Sequence, residues 1–228
     1  SGEEDVMRDD LRVAGLIPLR SPYIDELISD TDFTTVGNDA IVDWVWVELR
    51  DATNNTTVLS SQSALLQRDG DVVSINGTSP LAFTLAPGNY YVAIAHRNHL
   101  GIITANTVTL NQTVSSLDLT ANSSLIYQGT AAMVTLNNDK LALIAGDANT
   151  SGQVQNEDLD IVIGLNGEGG SYFDADIDSN SQVQNTDIDI ITTNNGKGEQ
   201  INLKTDNTKL ELVIIAPLNI THKKMNNK

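Results

Sequence analysis

The sequence predicts a mainly β protein: an immunoglobulin-like or transthyretin-like β-sandwich, followed by a small segment of loops and helices. Three observations carry that reading. From about Ile41 to Gly146, short alternating apolar segments are separated by polar turn clusters, with hardly any helical period. From Asp147 onward the chain becomes dense in Asp and Asn and repeats itself. There is no cysteine, so the 228 residues must be held by a core, and disulfides, Cys-ligated zinc and thiol catalysis are excluded.

Each element has its own justification. Ile41–Arg50 (IVDWVWVELR) alternates, placing Val45, Val47 and Leu49 on one face and Trp44, Trp46 and Glu48 on the other. Asp51–Thr57 is a turn cluster, and Val58–Leu66 is the next apolar run. Arg68–Asp71 breaks the chain before Val72–Ile75. Phe83–Ile94 reads as two strands reversed at Pro87-Gly88, where Pro presets φ and Gly tolerates a positive value. Thr107–Leu110, Ser115–Leu119, Ala131–Leu136 and Leu141–Ala145 complete the strand set. The chain therefore divides into a sandwich over residues 1–146, the repeat segment over 147–200, and a C-terminal β-strand tail over 201–228 with Leu210–Leu218 as its apolar part.

Composition narrows the partners. Thirteen Lys+Arg against thirty Asp+Glu give a net charge of −17 and a pI near 4.2. No nucleic-acid partner is expected of so acidic a chain, nor adhesion to an anionic bilayer. No apolar run reaches the ~18 residues of a membrane span, so no membrane insertion is expected. The chain opens on Ser1-Gly2 without a hydrophobic leader, as in a mature product or a piece of a longer protein.

The repeat is the most informative stretch. Asp147–Val162 (DANTSGQVQNEDLDIV) laid over Asp176–Ile191 (DIDSNSQVQNTDIDII) gives eight identities in sixteen positions, at a register of 29 residues. In each copy oxygen-bearing side chains occupy positions 1, 3, 5 and 12 of a twelve-residue loop. These are Asp147, Asn149, Ser151 and Asp158 in loop 1, and Asp176, Asp178, Asn180 and Asp187 in loop 2. Position 7, Gln153 and Gln182, would contribute a backbone carbonyl. A hard cation that takes six to eight oxygens fits this spacing, so two Ca²⁺ ions are expected, one per loop. Val154 and Val183 at position 8 are expected to join the loops by a short β-bridge and point into the core, with a short helix after each loop. Loop 2 has three carboxylates to loop 1's two, but carries Ser181 where loop 1 has Gly152. Charge is expected to make loop 2 the tighter site.

The doubled pattern D-x-N-x-(D/S)-G-x-V-x-x-x-D followed by a helix resembles a type I dockerin module over about fifty residues. That resemblance implies calcium binding. It does not extend to the helix-face pair at positions 10 and 11, often Ser-Thr where a dockerin meets its cohesin and here Asn156-Glu157 and Asn185-Thr186. A second resemblance lies in Met7–Leu11 (MRDDL), Ile41–Trp44 (IVDW), Leu49–Asp51 (LRD), Leu65–Asp71 (LLQRDGD) and His96–Gly101 (HRNHLG). These stretches are similar to a domain of large secreted surface proteins of Bacteroidetes-type bacteria, where it precedes a dockerin-like calcium segment. The likeness implies an extracellular or cell-surface location and this architecture, without an assigned chemistry.

Other residues invite chemistry less strongly. Trp44 and Trp46 share a face and are candidate ligand-binding residues for a polysaccharide, against the alternative that they are core. His96 and His99 are expected on opposite faces of a strand end, poor for chelation and better suited to structural hydrogen bonds. No G-x-S-x-G, H-E-x-x-H or phosphate-binding loop is present, so no catalytic residues are assigned and no enzyme is expected. The function expected is that of a non-catalytic, calcium-stabilised structural or adhesive protein of the cell surface or matrix. The alternative is a carbohydrate- or cohesin-binding module of a larger secreted protein. Its partner would be another protein or copies of itself, with Leu210–Ile215 either folding back in cis or completing the sandwich of the next subunit head to tail.

Overall fold

The computed structural model describes residues 6–113, 116–199, 201 and 203. The chain is mainly β, with antiparallel sheets and short helices, the class the sequence predicts. Its centre is β1 (Ile41–Asp51), apolar on both faces and buried along almost its whole length. A strand that is apolar on both sides needs a neighbour on each edge and a layer over each face. β1 pairs with β2 (Val58–Gln67) on one edge and β4 (Gly88–His96) on the other. The sheet runs β3-β2-β1-β4-β5, with β3 at Val72–Val73 and β5 at His99–Ile103. β6 (Val108–Leu110) pairs with the start of β4. A second, two-stranded sheet joins β7 (Met133–Thr135) to β8 (Leu141–Leu143).

The two faces carry different layers. Val45, Val47 and Leu49 pack with Ala64, Tyr90 and Val92. Phe83 and Leu85 reach this cluster from irregular backbone, so the strand expected over Phe83–Ala86 is absent and β4 starts at Gly88 itself. Residues 116–119 are likewise irregular. On the opposite face, Trp44 and Trp46 are covered by the chain before β1, which contributes Leu11 of the short helix α1 (Asp10–Val13), Ile17, Tyr23 and Phe33.

That cover corrects one expectation. Trp44 is 0% and Trp46 4% exposed, so neither presents a ring to a sugar. Each indole N–H is satisfied inside: Trp44 Nε1 donates to Pro18 O (2.9 Å) and Trp46 Nε1 to Glu48 Oε1 (3.0 Å). The same-face spacing belongs to a core beneath a layer without regular strands, which is why alternation alone left the question open.

The repeat segment follows as two loop–helix units, with α2 at Asn156–Leu165 and α3 at Asn185–Asn194. It shares a core with the sheet's end: Leu100 of β5 and Ile144 pack with Val154, Val162, Ile177, Val183 and Ile191. Leu203 packs on Ala93 and Ile103. The tail strand expected at Leu210–Ile215 lies outside the described residues. Replacing Trp46 by Ala should lower unfolding free energy by about 3–5 kcal/mol in a denaturant titration, the range for deleting a buried aromatic. A loss under 1 kcal/mol would contradict this placement.

Candidate functional site

The two loops have the same backbone. Positions 4 and 6 take positive φ in both, at Thr150 (58°) and Gly152 (81°) and at Ser179 (55°) and Ser181 (70°). A left-handed position 6 suits Gly and costs an L residue about 1 kcal/mol. In loop 1 the glycine has a second cause, because a Cβ there would stand 3.1 Å from Glu199 Oε2.

The carboxylates point inward. Asp147, Asp158, Asp176 and Asp187 are each 0% exposed. Asp147 accepts from the N–H groups of Ser151 (2.8 Å) and Gly152 (3.0 Å), and Asp176 repeats this with Asn180 (3.0 Å) and Ser181 (2.9 Å). The position-12 residue ties the loop to its helix. Asp158 accepts from Asn149 N (3.0 Å) and Gln155 N (2.9 Å), and Asp187 from Asp178 N (3.1 Å) and Gln184 N (2.9 Å). Each helix thus carries an aspartate at its third position that accepts from the backbone N–H of the N-cap residue, Gln155 or Gln184, in a capping box. Oxygens of Asp176, Asp178 and Asp187 all lie within 4.8 Å of one another. Two oxygens bound to one calcium at about 2.4 Å stand at most about 4.8 Å apart, so this donor set fits a single ion. Ser151 and Asn180 at position 5, with the Gln153 and Gln182 carbonyls, would supply the neutral oxygens that a calcium ion takes.

Crowding shows in the acidities. Burial pushes Asp176 up to about 6, with the charge of Asp187 adding to it. Asp178 is raised by burial and by Asp187, and Asp158 mainly by burial.

The expected bridge between the loops is replaced by a crossed arrangement. Val154 N donates to Lys197 O (2.8 Å), after the helix of the other unit, while Val183 N donates to Glu168 O (2.8 Å). Each loop is therefore closed by the chain leaving the other unit's helix. Both valines are fully buried, as expected.

The sequence reading missed what holds this segment to the sheet. The β4–β5 turn carries Arg97, 0% exposed, whose Nε donates to Asp43 Oδ2 (3.0 Å) and whose Nη1 donates to Phe173 O. Its guanidinium lies 4.3 Å from the centre of the Tyr172 ring, and the Tyr172 hydroxyl donates to Asp43 Oδ1. His96 Nε2 stands 3.2 Å from Asp43 Oδ2. Burial acts to raise the Asp43 pKa, but Arg97, His96 and Tyr172 outweigh it and hold the carboxyl well below the usual range. His96 and His99 are not on opposite faces: they are the cross-strand pair that closes the two-residue turn between β4 and β5, and their rings meet edge-on at 4.7 Å. The signal for this cluster was present in IVDW and HRNHLG, but sequence distance hid that Asp43 and Arg97 face each other.

No family model matches the chain, and no curated protein matches it. The chain is similar to chains in two solved structures of a type II Cohesin-X-Dockerin complex from Acetivibrio cellulolyticus, a C-terminal and an N-terminal interface mutant. Identity is 17% and 18%, with a TM-score of 0.40, 68% of this chain and 82% of the other covered in each case. Likeness of this degree establishes neither a shared family nor a shared partner.

Asp43→Ala should strand a buried guanidinium and lower stability by about 3–5 kcal/mol. The pH dependence has a definite sign. A depressed carboxylate contributes stability that is present above its unfolded value, near 4, and is lost only as pH falls through the lower folded value. The wild-type advantage over the variant should thus hold from pH 7 to about 4 and shrink in stronger acid. An advantage already lost at pH 6 would contradict this.

Proposed function

We propose that this chain is a non-catalytic, extracellular structural module, stabilised by two calcium ions, that joins proteins at a cell surface or in a secreted assembly. The observation that carries the calcium part is the set of buried carboxylates. Among the described residues no Lys or Arg forms an ion pair with Asp158, Asp176 or Asp187. Buried negative charge without a cationic partner is costly, and a bound Ca²⁺ would remove that cost. Asp147, Asn149, Ser151, Gln153 and Asp158 would hold one ion, and Asp176, Asp178, Asn180, Gln182 and Asp187 the other. The ion would supply charge compensation and loop closure, and thereby folding energy.

The joining part of the proposal has a separate support. Among the described residues β3 pairs only with Leu65 and Leu66 of β2, Asp25 caps Ser63 N (2.7 Å), and no strand pairs with the outer edge of the start of β2, where Val58 and Leu59 are exposed. An open edge of this kind accepts a strand from another chain. The β-prone Leu210–Ile215 of a second copy is the donor we assign to it. A polysaccharide partner loses its support with the burial of Trp44 and Trp46. No helix among the described residues is long and apolar enough to cross a membrane.

Calorimetry should find two calcium ions per chain, and EGTA should lower the melting temperature. An unchanged melting temperature in excess chelator would sink the calcium reading. Asp176→Ala should remove the tighter site and Asp147→Ala the weaker. The pH response should reverse with the metal. A carboxylate raised to about 6 favours the folded state below its unfolded value and loses that contribution as pH rises through 6. In EGTA the Asp176 contribution therefore grows from pH 7 to 5, whereas calcium affinity falls over the same interval as protons compete.

Self-assembly is tested by sedimentation with calcium present. The full chain should associate with concentration and a chain ending at Leu203 should not. Compact monomers for both would leave only the cis placement of the tail.

A further inference from the structure

Asn98 sits in the middle of the β4–β5 turn, 0% exposed, and every polar group it has is engaged. Its carbonyl accepts from Gly146 N (2.9 Å) and Asp147 N (3.1 Å), at the first ligand position of loop 1. Its Nδ2 donates to Asp174 O (3.0 Å) and Asp176 O (3.0 Å), at the first ligand position of loop 2. Oδ1 meets His99 Nδ1 at 2.8 Å, and the Asn98 N–H is 3.5 Å from His96 Nδ1. Two carbonyls facing Nδ2 and a ring nitrogen facing Oδ1 fix the amide orientation, since only the NH₂ can donate to both carbonyls. One residue outside the repeat thus touches the backbone of Asp147 and of Asp176, 29 residues apart in sequence and equivalent in the two loops.

We infer that Asn98 is a positioning residue for both calcium loops, coupling the two sites to each other and to the sheet. This rests on the calcium reading above. Asp147 and Asp176 place their carboxylates by the backbone from which they project, and Asn98 holds that backbone from outside the loops, in addition to the bond from Thr150 N to Asp147 O (3.3 Å) within loop 1. An ion that draws Asp176 inward pulls on the Nδ2 bonds. The same residue's carbonyl then transmits the constraint to Asp147. His99, against Oδ1, holds the side-chain amide, while His96, set against Asp43, faces the Asn98 backbone N–H. The fixed turn adds to the crossed pairing a second tie, which joins the starts of the two loops.

The test compares wild type with Asn98→Asp, which keeps the shape and Oδ1 but turns two donors into acceptors facing carbonyls. If added negative charge near the loops were all that mattered, calcium would bind more tightly. If Asn98 positions the ligands, both sites should weaken by about tenfold to a hundredfold, the usual effect of losing a group that orients a metal ligand. A merely structural role would lower the melting temperature in EGTA but leave the calcium affinity of the folded protein unchanged, and that outcome overturns the inference. Should Asn98→Asp fail to fold, Asp158→Asn decides. It disables loop 1 alone, and the remaining loop 2 site should lose affinity at least several-fold through the shared residue. Unchanged loop 2 affinity overturns the coupling. A wild-type chain that takes up no calcium at all would instead overturn the reading on which this rests.

Discussion

A guanidinium sealed from water must find its acceptors in the protein, and Arg97 finds them for Nε and Nη1, while Nη2 is buried with no hydrogen-bond partner among the described residues. Asp43 comes from the central strand, and the Phe173 carbonyl from the link between the two loop–helix units. Breaking either contact leaves charge in a low-dielectric interior, so the sheet and the acidic segment cannot separate cheaply. The Tyr172 ring lies against the same guanidinium and its hydroxyl returns to Asp43, closing the set. Asp147 and the Phe173–Asp176 stretch, which open the two loops, are both positioned by that turn.

On this footing the acidic segment solves a local problem with economy of residues. Each position-12 aspartate closes its loop and starts its helix through the same two oxygens. The crossed pairing of Val154 with Lys197 and of Val183 with Glu168 makes each unit depend on the other, so neither loop can order fully alone. Glu199 adds a further tie, accepting from Gly101 N (2.8 Å) on β5 and from Leu203 N (3.0 Å). A Cβ at Gly101 would approach the side-chain ends Glu199 Oε1 and Leu203 Cδ1 to 2.9 Å and the Ile94 carbonyl to 3.1 Å, so a larger residue there would push this tie aside.

Local patterns were legible in the sequence where the physics is local. The period-two run of β1, the loop spacing from Asp147 and from Asp176, the helices after each loop and the inward valines all follow from neighbours in the chain. The layer over Trp44 and Trp46 was not legible, because residues 16–40 cover them without a regular strand and leave no period to read. Phe83 and Leu85 misled for the opposite reason: they are half-buried and alternate, yet their backbone does not pair. The clamp at Asn98 was invisible because its partners in the loops lie 48 and more residues away and are backbone atoms, which carry no sequence identity.

The central claim is that the β4–β5 turn and the two loops form one cooperative unit whose closure depends on calcium. Amide hydrogen exchange with calcium and with EGTA measures this directly. The account predicts that chelation speeds exchange at residues 147–154 and 176–183 together with 98–101, while β1 stays protected. Loops that lose protection with the turn unchanged, or one loop opening without the other, would contradict it.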